Sequence, residues 1–388
     1  MKSQTIYFVA GEVSADNHGA ELMRSLRKSD AELKFIGRGG PQMQEVAGES
    51  ATGRIGDGKQ FKNWIGEAAV LGLWEVLRKY GYFQEQFHET LREIRESKPD
   101  AVVLIDYPGF NLRLARALRR QAPQEKVIYY ISPQVWAWNR GRVKRMAHFI
   151  DLVLCIFPFE VDLYNQAGLR ALFVGHPMIE RLQARKIDTQ PDRNLIGLFP
   201  GSRSREVRKI FPVMLETARQ LKKDNPNLRF EVAAASEQLA QEMNQMLTPE
   251  TDEAMIQIKL GETTAIMQQA WAGLVASGSA TLEAAYFRLP FVLIYKVAWP
   301  TYVAGRLVVK VKYLGMPNLL ADKEVIPEFI QHRAKPSAIV RAMQPLIENS
   351  SARERMIAQF AAIAAKLGGS GASQIAARAI VEEIGSAT

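Results

Sequence analysis

One acidic residue directly follows an apolar run of the kind that forms buried strands. Asp106 comes immediately after Ala101–Ile105, and a partly desolvated carboxylate at the end of a strand suits the work of a general base on a hydroxyl. The alternative is ordinary turn formation, because Tyr107, Pro108 and Gly109 follow it. The residues alone leave both interpretations open.

The loop after the first apolar run combines a glycine with small polar and acidic residues. Its candidate binding residues are Gly11, Glu12, Ser14 and Asp16. Backbone N–H groups at such a strand-to-helix junction can bind an anion or a sugar hydroxyl, and a plain helix cap is the alternative.

Three segments in the second half of the chain suit a nucleotide. In 198–206 a glycine and an arginine precede a helix, which favours diphosphate, with a solvated basic helix start as the alternative. In 276–283 small residues lead to an acidic residue. It could bind a ribose or simply interact with the positive end of the helix dipole. In 316–320 a side-chain amide could contact a base or phosphate. The candidates are Gly201, Ser202, Arg203, Ser277, Gly278, Ser279, Glu283 and Asn318.

An aromatic and apolar stripe with helical spacing runs through residues 70–87 and includes two basic residues. Its candidate membrane-contact residues are Trp74, Val76, Leu77, Tyr80 and Phe83. Most such stripes belong to a protein core, but an interfacial membrane helix has the same pattern.

The usual motifs for metals and dinucleotides are missing from the sequence. The five histidines have no metal-ligand spacing, Cys155 is the single cysteine, and neither a G-x-G-x-x-G fingerprint nor a D-x-D pair occurs. Residues 53–59 approach a phosphate-loop pattern, but Gln60 replaces the serine or threonine that would bind magnesium. We therefore predict no metal and no cofactor.

Composition and charge narrow the class of protein. The 388 residues, 47% hydrophobic and 23% charged, predict a globular chain of two or three domains. The net charge is +9, and residues 113–145 hold nine basic residues against one acidic residue, which favours a phosphate-bearing partner: nucleic acid, an anionic membrane or a phosphorylated metabolite. A single cysteine and the lack of an apolar run near ~18 residues predict a cytoplasmic protein.

Short apolar runs alternate with amphipathic helical stretches along the chain. The predicted strands are Ile6–Ala10, Ala101–Ile105, Val127–Ile131, Leu152–Ile156, Leu195–Phe199, Phe230–Ala234, Gly273–Ala276 and Phe291–Tyr295. This alternation predicts an α/β fold with parallel sheets. The polar stretch Arg185–Asn194 separates two doubly wound halves that would face a cleft. We predict domains at 1–185 and 186–345 and a helical C-terminal segment at 346–388.

Eight segments, in order along nearly the whole chain, resemble the lipid-A-disaccharide synthase family. They are AGEVSAD at 10, IDYPGFN at 105, YYISPQVWAWNRGRVKRM at 129, FPFE at 157, FVGHPM at 173, LFPGSRSREV at 198, ASGSATLE at 276 and PNLL at 317. The resemblance implies the B-type glycosyltransferase fold (GT-B), with two Rossmann-like domains. It also implies an inverting transfer of 2,3-diacylglucosamine from its UDP derivative to 2,3-diacylglucosamine 1-phosphate (lipid X). The resemblance implies no nucleic-acid partner.

The resemblance also implies roles for individual residues. Asp106 is similar to the base that deprotonates the acceptor 6-hydroxyl, Gly201–Arg203 to the diphosphate segment, Glu283 to the ribose ligand, and Asn318 to a further UDP contact. The stripe from Trp74 to Phe83 resembles a patch that docks on the cytoplasmic face of the anionic inner membrane. The family further implies a homodimer with exchanged C-terminal segments, or C-terminal helices that pack back.

The first motif departs from the family, which usually has S-G-D where this chain has Ser14-Ala15-Asp16. If that glycine needs a positive φ, Ala15 would strain the turn. Three other classes remain as alternatives: another UDP-sugar enzyme of the same fold (an epimerase or a murein transferase), a UDP-sugar-binding protein without catalysis, and a nucleic-acid-binding protein.

Overall fold

The computed structural model describes residues 4–48, 61–68, 80–134, 141–248, 252, 255–299, 302 and 311–385. The chain forms two compact units, Met1–Pro177 together with Leu367–Thr388, and Met178–Lys366. Each unit has its own parallel sheet with helices around it, so the predicted α/β class is confirmed.

The first unit is built on a seven-stranded parallel sheet in the order β3-β2-β1-β4-β5-β6-β7. Its strands are β1 (Thr5–Ala10), β2 (Lys34–Gly39), β3 (Phe61–Asn63), β4 (Ala101–Ile105), β5 (Lys126–Tyr130), β6 (Leu152–Cys155) and β7 (Ala171–Phe173). Its helices before the second unit are α1 (Val13–Ser29), α2 (Pro41–Gly48), α3 (Ile65–Ala68), α4 (Tyr80–Ser97), α5 (Pro108–Gln121), α6 (Gly141–Met146) and α7 (Pro158–Asn165).

The second unit is built on a six-stranded parallel sheet in the order β10-β9-β8-β11-β12-β13. Its strands are β8 (Asp192–Phe199), β9 (Arg229–Ala234), β10 (Ile256–Leu260), β11 (Ala270–Ala276), β12 (Phe291–Tyr295) and β13 (Glu328–Ile330). Its α-helices are α8 (Met178–Ala184), α9 (Ser204–Asp224), α10 (Glu237–Asn244), α11 (Thr263–Gln269), α12 (Ala280–Tyr286), α13 (Met316–Ala321), α14 (Pro336–Ile347) and α15 (Ser351–Lys366), and a 3-10 turn spans Gln331–Arg333.

Both sheets reverse their strand order next to their first strand. In the first unit β1 pairs with β4, and Ala10 lies beside Ile105. In the second unit β8 pairs with β11, and Phe199 lies beside Val275. Ligands of open α/β sheets bind beyond the carboxyl ends of strands at such a reversal. The fold therefore brings the loops that follow β1 and β4 together, and likewise those that follow β8 and β11.

The C-terminal region divides between the units. Helix α15 belongs to the second unit, whereas the last helix, α16 (Ala372–Gly385), packs on α1 and adds Ala376, Ile380 and Ile384 to the core of the first. The first unit's N-terminal stretch ends at Pro177, ahead of the polar segment at which we predicted a boundary. Glu383 on α16 is nearly buried and pairs with Lys126 and Arg170, which fixes the helix to its sheet.

Candidate active site

Asp106 and Tyr107 form a left-handed backbone turn between β4 and α5, with φ of 45° and 48°. This conformation costs a non-glycine residue on the order of 1 kcal/mol and persists only where neighbours hold it. The carbonyl oxygen of Asp106 accepts hydrogen bonds from Asn111 Nδ2 at 2.8 Å and from the Tyr129 hydroxyl, and its N–H donates to the Tyr130 carbonyl at 3.0 Å. Buried groups thus hold Asp106 in one orientation.

The carboxyl group of Asp106 is half-buried. Burial raises its pKa to about 6, the negative charge of Glu12 adds to this, and a backbone hydrogen bond from Tyr107 opposes it. A base works best when its pKa lies near the working pH, because it is then ionised yet still basic enough to hold a proton. This carboxylate is therefore suited to accept a proton near neutrality.

The loop after β1 lies directly against the Asp106 turn. Gly11 packs on the ring of Tyr107, and a Cβ at position 11 would stand 2.3 Å from Tyr107 Cδ1. Trp64 fixes the other side, because its indole N–H donates to the Ala10 carbonyl at 2.6 Å and its ring meets Tyr107 edge-on. The structure thus brings Gly11 to the turn that carries Asp106. Sequence analysis missed Trp64, which gave no local signal.

Two residues of the first loop have structural roles. Asp16 is buried, and its carboxylate accepts the N–H groups of Gly40, Gln42 and Met43 at 2.9–3.0 Å, which caps the start of α2. Asp16 is therefore a helix cap, the alternative that the sequence left open, and both of its carboxylate oxygens accept hydrogen bonds. Ala15 lies in the first turn of α1 and has no positive φ, so the strain anticipated there is absent. Ser14 is exposed beside it.

In the second unit, the loop after β8 approaches the end of β11. Gly201 has φ of 108°, which favours glycine, and a Cβ there would lie 3.1 Å from Glu206 Oε2 and 3.8 Å from Ala276 Cβ. Ser202 and Arg203 are exposed at the start of α9, a 21-residue helix. The first turn of a long helix presents N–H groups and a positive dipole end, which suits a phosphate.

The guanidinium of Arg203 is held loosely at this loop. It donates to Glu206 Oε1 at 3.0 Å and is 72% exposed, so an anion could replace that partner at small cost. Tyr295 at the end of β12 lies near the same pair: burial raises the pKa of its hydroxyl, Glu206 adds to this, and Arg203 opposes it. Glu206 and Tyr295 were not singled out from the sequence, although Glu206 falls inside the motif.

The loop after β11 contributes the other predicted residues of this unit. Ser277 donates its N–H to Ile294 O at 3.1 Å, Gly278 has φ of 149°, and both Gly278 and Ser279 border solvent. Glu283 is mostly buried on α12, and its Oε1 accepts from Arg181 at 3.1 Å. This ion pair orients the Glu283 carboxylate, and no residue that the structure describes donates to Oε2.

Asn318 is completely buried, and every hydrogen-bonding position of its amide is filled within the chain. Its Oδ1 accepts from the N–H groups of Val325 and Ile326 at 2.6 and 2.8 Å, while its Nδ2 donates to Ile326 O and Glu328 Oε1, both at 2.8 Å. The side chain therefore closes the loop that leads to β13, and no position of the amide remains for a nucleotide.

The apolar stripe is only partly described. Trp74, Val76 and Leu77 lie outside the described residues, and of Tyr80 the structure gives the backbone, at the start of α4. The ring of Phe83 is half-buried against the core of the first unit, so part of the stripe is core. Within the described residues, no helix is long and apolar enough to cross a membrane, and no group of three potential metal ligands occurs.

Comparison with known proteins identifies the family. The model of the lipid-A-disaccharide synthetase family matches residues 6–379. The chain belongs to this family. The lipid-A-disaccharide synthase of Geobacter sulfurreducens is 37% identical over 99% of this chain and 98% of its own length, and that of Coxiella burnetii is 32% identical over 98% of both. Membership confirms the predicted class of enzyme, a glycosyltransferase of lipid A biosynthesis.

Solved structures support the fold of this synthetase family member. A putative UDP-N-acetylglucosamine 2-epimerase from Listeria monocytogenes aligns with a TM-score of 0.62 at 13% identity, over 100% of this chain and 97% of that one. The glycosyltransferase of kitacinnamycin aligns at 0.61 and 13%, over 99% and 100%. At such low identity the likeness shows the fold alone, and it confirms the predicted GT-B type.

Proposed function

We propose that the chain transfers the sugar of UDP-2,3-diacylglucosamine to the 6-hydroxyl of 2,3-diacylglucosamine 1-phosphate, with release of UDP. The Asp106 carboxylate accepts the hydroxyl proton, the hydroxyl oxygen bonds to the donor's anomeric carbon, and the bond from that carbon to the diphosphate breaks with its electron pair left on UDP. One displacement inverts the anomeric carbon. The observation that carries this proposal is the half-buried Asp106, held at the end of β4 with its pKa raised to about 6.

The second unit supplies the proposed donor contacts. Gly201, Ser202 and Arg203 offer backbone N–H groups, a long helix N-terminus and an exposed guanidinium to the diphosphate, which would stabilise the charge that develops on UDP. Glu283 accepts the ribose hydroxyls through Oε2, and Ser277–Ser279 line the same loop pair. Asn318 has a structural role, because its side chain holds the loop that leads to β13.

The first unit supplies the proposed acceptor side, with Gly11, Glu12 and Ser14 beside the Asp106 turn and Asp16 as a structural cap. The stripe at 74–83 would contact the cytoplasmic face of the anionic inner membrane, where acylated substrates reside. We also propose that the protein forms a homodimer. The reaction as written needs no metal, because helix N-termini and arginine supply the charge stabilisation.

The test is product formation in detergent micelles from both substrates, with excess chelator and detection of the disaccharide by mass spectrometry. Asp106→Asn and Asp106→Ala should lose on the order of 10²-fold or more in kcat and still bind UDP. Glu45→Gln, which changes an exposed carboxylate of the same unit, is the matched control and should keep full activity.

Each other outcome has a definite meaning. Full activity of both Asp106 variants would keep the reaction and remove Asp106 from its role. Absence of product from the unaltered protein, despite UDP binding, would favour a UDP-sugar-binding protein or another UDP-sugar enzyme. An epimerase assay with UDP-N-acetylglucosamine would then separate those two.

A further inference from the structure

A basic cavity of about 550 Å³ adjoins the turn that carries Asp106. It begins at Pro108 and Gly109, the first residues of α5, and continues along that helix to α6. Six arginines and a histidine line it: Arg113, Arg116, Arg119, Arg120, Arg142, Arg145 and His148. The reaction proposed above uses none of these side chains.

Three of the six arginines have no acidic partner among the described residues. Arg119 is engaged, because it donates to Pro123 O at 2.9 Å and to Asp151 Oδ2 at 2.6 Å. Among the residues that the structure describes, no carboxylate pairs with Arg113, Arg116 or Arg120, and all three are exposed on α5. Like charges at these helical spacings repel one another. Arg113, Arg116 and Arg120 therefore have no counter-charge within the part of the chain that the structure describes.

The helix itself does not explain the arrangement. Arg119 and Arg120 lie in the last turn of α5, where the helix dipole stabilises cations. Arg113 and Arg116 precede that turn and gain nothing from the dipole, yet both face the cavity. An anionic ligand is the compensation that this position favours.

The end of the cavity at Pro108 and Gly109 adds a second feature that suits an anion. Pro108 has no N–H, and the N–H of Gly109, at the exposed start of α5, has no acceptor among the described residues. A free N–H at the N-terminus of a 14-residue helix attracts phosphate, and a guanidinium one to two turns further on can bind phosphate oxygens in bidentate fashion.

We propose that this cavity is a phosphate-monoester subsite, and that Arg113 and Arg116 hold in it the 1-phosphate of the acceptor. This inference rests on the proposed reaction. In the acceptor, the 6-hydroxyl and the 1-phosphate lie on opposite sides of one sugar ring. Arg113 comes five residues after Pro108, about 7.5 Å along the helix axis. One sugar can therefore place its hydroxyl at Asp106 and its phosphate at Arg113.

The test compares two acceptors that differ only at C1: 2,3-diacylglucosamine 1-phosphate, and the methyl glycoside in which a methoxy group replaces the phosphate. Arg113→Gln and Arg116→Gln should each raise KM for the phosphorylated acceptor about tenfold or more, with little change in kcat, because a charge-assisted hydrogen bond is lost. The same variants should leave kcat/KM for the methyl glycoside unchanged. Arg24→Gln, an equal charge change at an exposed position of α1, should alter neither.

Equal effects on both acceptors, or none on either, would overturn the subsite. Sedimentation with phosphatidylglycerol vesicles distinguishes the other source of phosphate: variants that lose vesicle binding but keep their acceptor discrimination would assign the cavity to lipid head groups instead. Line broadening of the ³¹P signal of glucosamine 1-phosphate provides a readout without turnover. If the unaltered protein forms no product yet broadens this signal in an Arg113-dependent way, the proposed reaction fails while the phosphate site stands; if Arg113→Gln broadens it equally, the site fails.

Discussion

Gly11 Cα lies against the ring of Tyr107, so closely that a Cβ at position 11 would stand 2.3 Å from Tyr107 Cδ1. Real Cβ atoms do not approach other carbons to this distance, and the ring cannot retreat, because Trp64 and Phe110 contact it. Tyr107 is also the second left-handed residue of the turn that presents Asp106. A displacement at Gly11 would therefore move the turn that positions the proposed base.

Gly11→Ala should displace the Tyr107 ring and with it the Asp106 turn. We expect kcat to fall by about 10²-fold, as for a misplaced catalytic group, while UDP affinity is unchanged. Steady-state kinetics and UDP titration measure the two effects. Gly48→Ala, at a helical glycine of the same unit whose Cβ would meet no other part of the chain within 4 Å, should leave both unchanged. A fully active Gly11→Ala would contradict the coupling.

The rate should depend on pH through Asp106. Because only the ionised carboxylate accepts a proton, kcat/KM should fall as the pH decreases through about 6. Glu12 contributes to the raised pKa of Asp106, so Glu12→Gln should lower that pKa and move the acid limb to lower pH. pH–rate profiles measure the shift, and Glu45→Gln should give the unshifted profile. An acid limb that stays in place or moves to higher pH would exclude this role of Glu12.

Gly201→Ala should weaken UDP binding. The substitution forces alanine into φ of 108° and sets its Cβ 3.1 Å from the Glu206 carboxylate, which disturbs the partner of Arg203. We expect about a tenfold loss of UDP affinity by titration calorimetry. Gly261→Ala carries the strain of a positive φ in the same unit with open space around it, so it should cost stability and leave UDP affinity intact. Similar affinities for the two variants would argue against a diphosphate loop at Gly201.

Asn318→Ala should destabilise the second unit more than it weakens nucleotide binding. The variant leaves the N–H groups of Val325 and Ile326 without their acceptor, and each unsatisfied buried group costs about 1–3 kcal/mol. Urea denaturation should show a loss of about 3 kcal/mol in the free energy of unfolding. Asn227→Ala, at an exposed position, should stay within about 0.5 kcal/mol. A large loss of UDP affinity at unchanged stability would instead indicate a direct contact between Asn318 and UDP.

The buried Arg38 should make stability depend on acid pH. Its guanidinium pairs with Glu89 at 2.9 Å and Glu93 at 2.8 Å on α4, and Lys62, then Arg38, lower the pKa of Glu89 to about 2. A depressed carboxyl pKa stabilises the folded state above the unfolded pKa of about 4.5, and this contribution is lost as the pH falls toward 2.

Arg38→Met should therefore lower the free energy of unfolding by about 3 kcal/mol at pH 7, because it breaks a buried ion pair. It should also make the decline below pH 4.5 less steep, although Lys62 still pairs with Glu89 in the variant. Urea denaturation at several pH values measures both effects, with Arg24→Gln as the exposed control. An acid limb as steep as that of the unaltered protein would show that Arg38 contributes little to it.

The sequence predicted the elements that are specified by local patterns. All eight strands inferred from apolar runs are present, since short runs rich in Val, Ile and Phe between turn residues, alternating with helical stretches, fit buried parallel strands. Asp106 was placed correctly at the end of β4 for the same reason, and the order of strands and helices predicted the α/β class.

Tertiary structure decided which polar side chains find hydrogen-bond or ion-pair partners within the chain. Strand β2 escaped prediction because Arg38 interrupts its apolar pattern, and that arginine is buried because α4 brings Glu89 and Glu93 to it. Asp16 became a helix cap and Asn318 a loop closure through partners that lie elsewhere in the chain. Local sequence fixes backbone preference and hydrophobic period, whereas the partner of a buried polar group depends on which distant segments the fold brings within hydrogen-bonding distance.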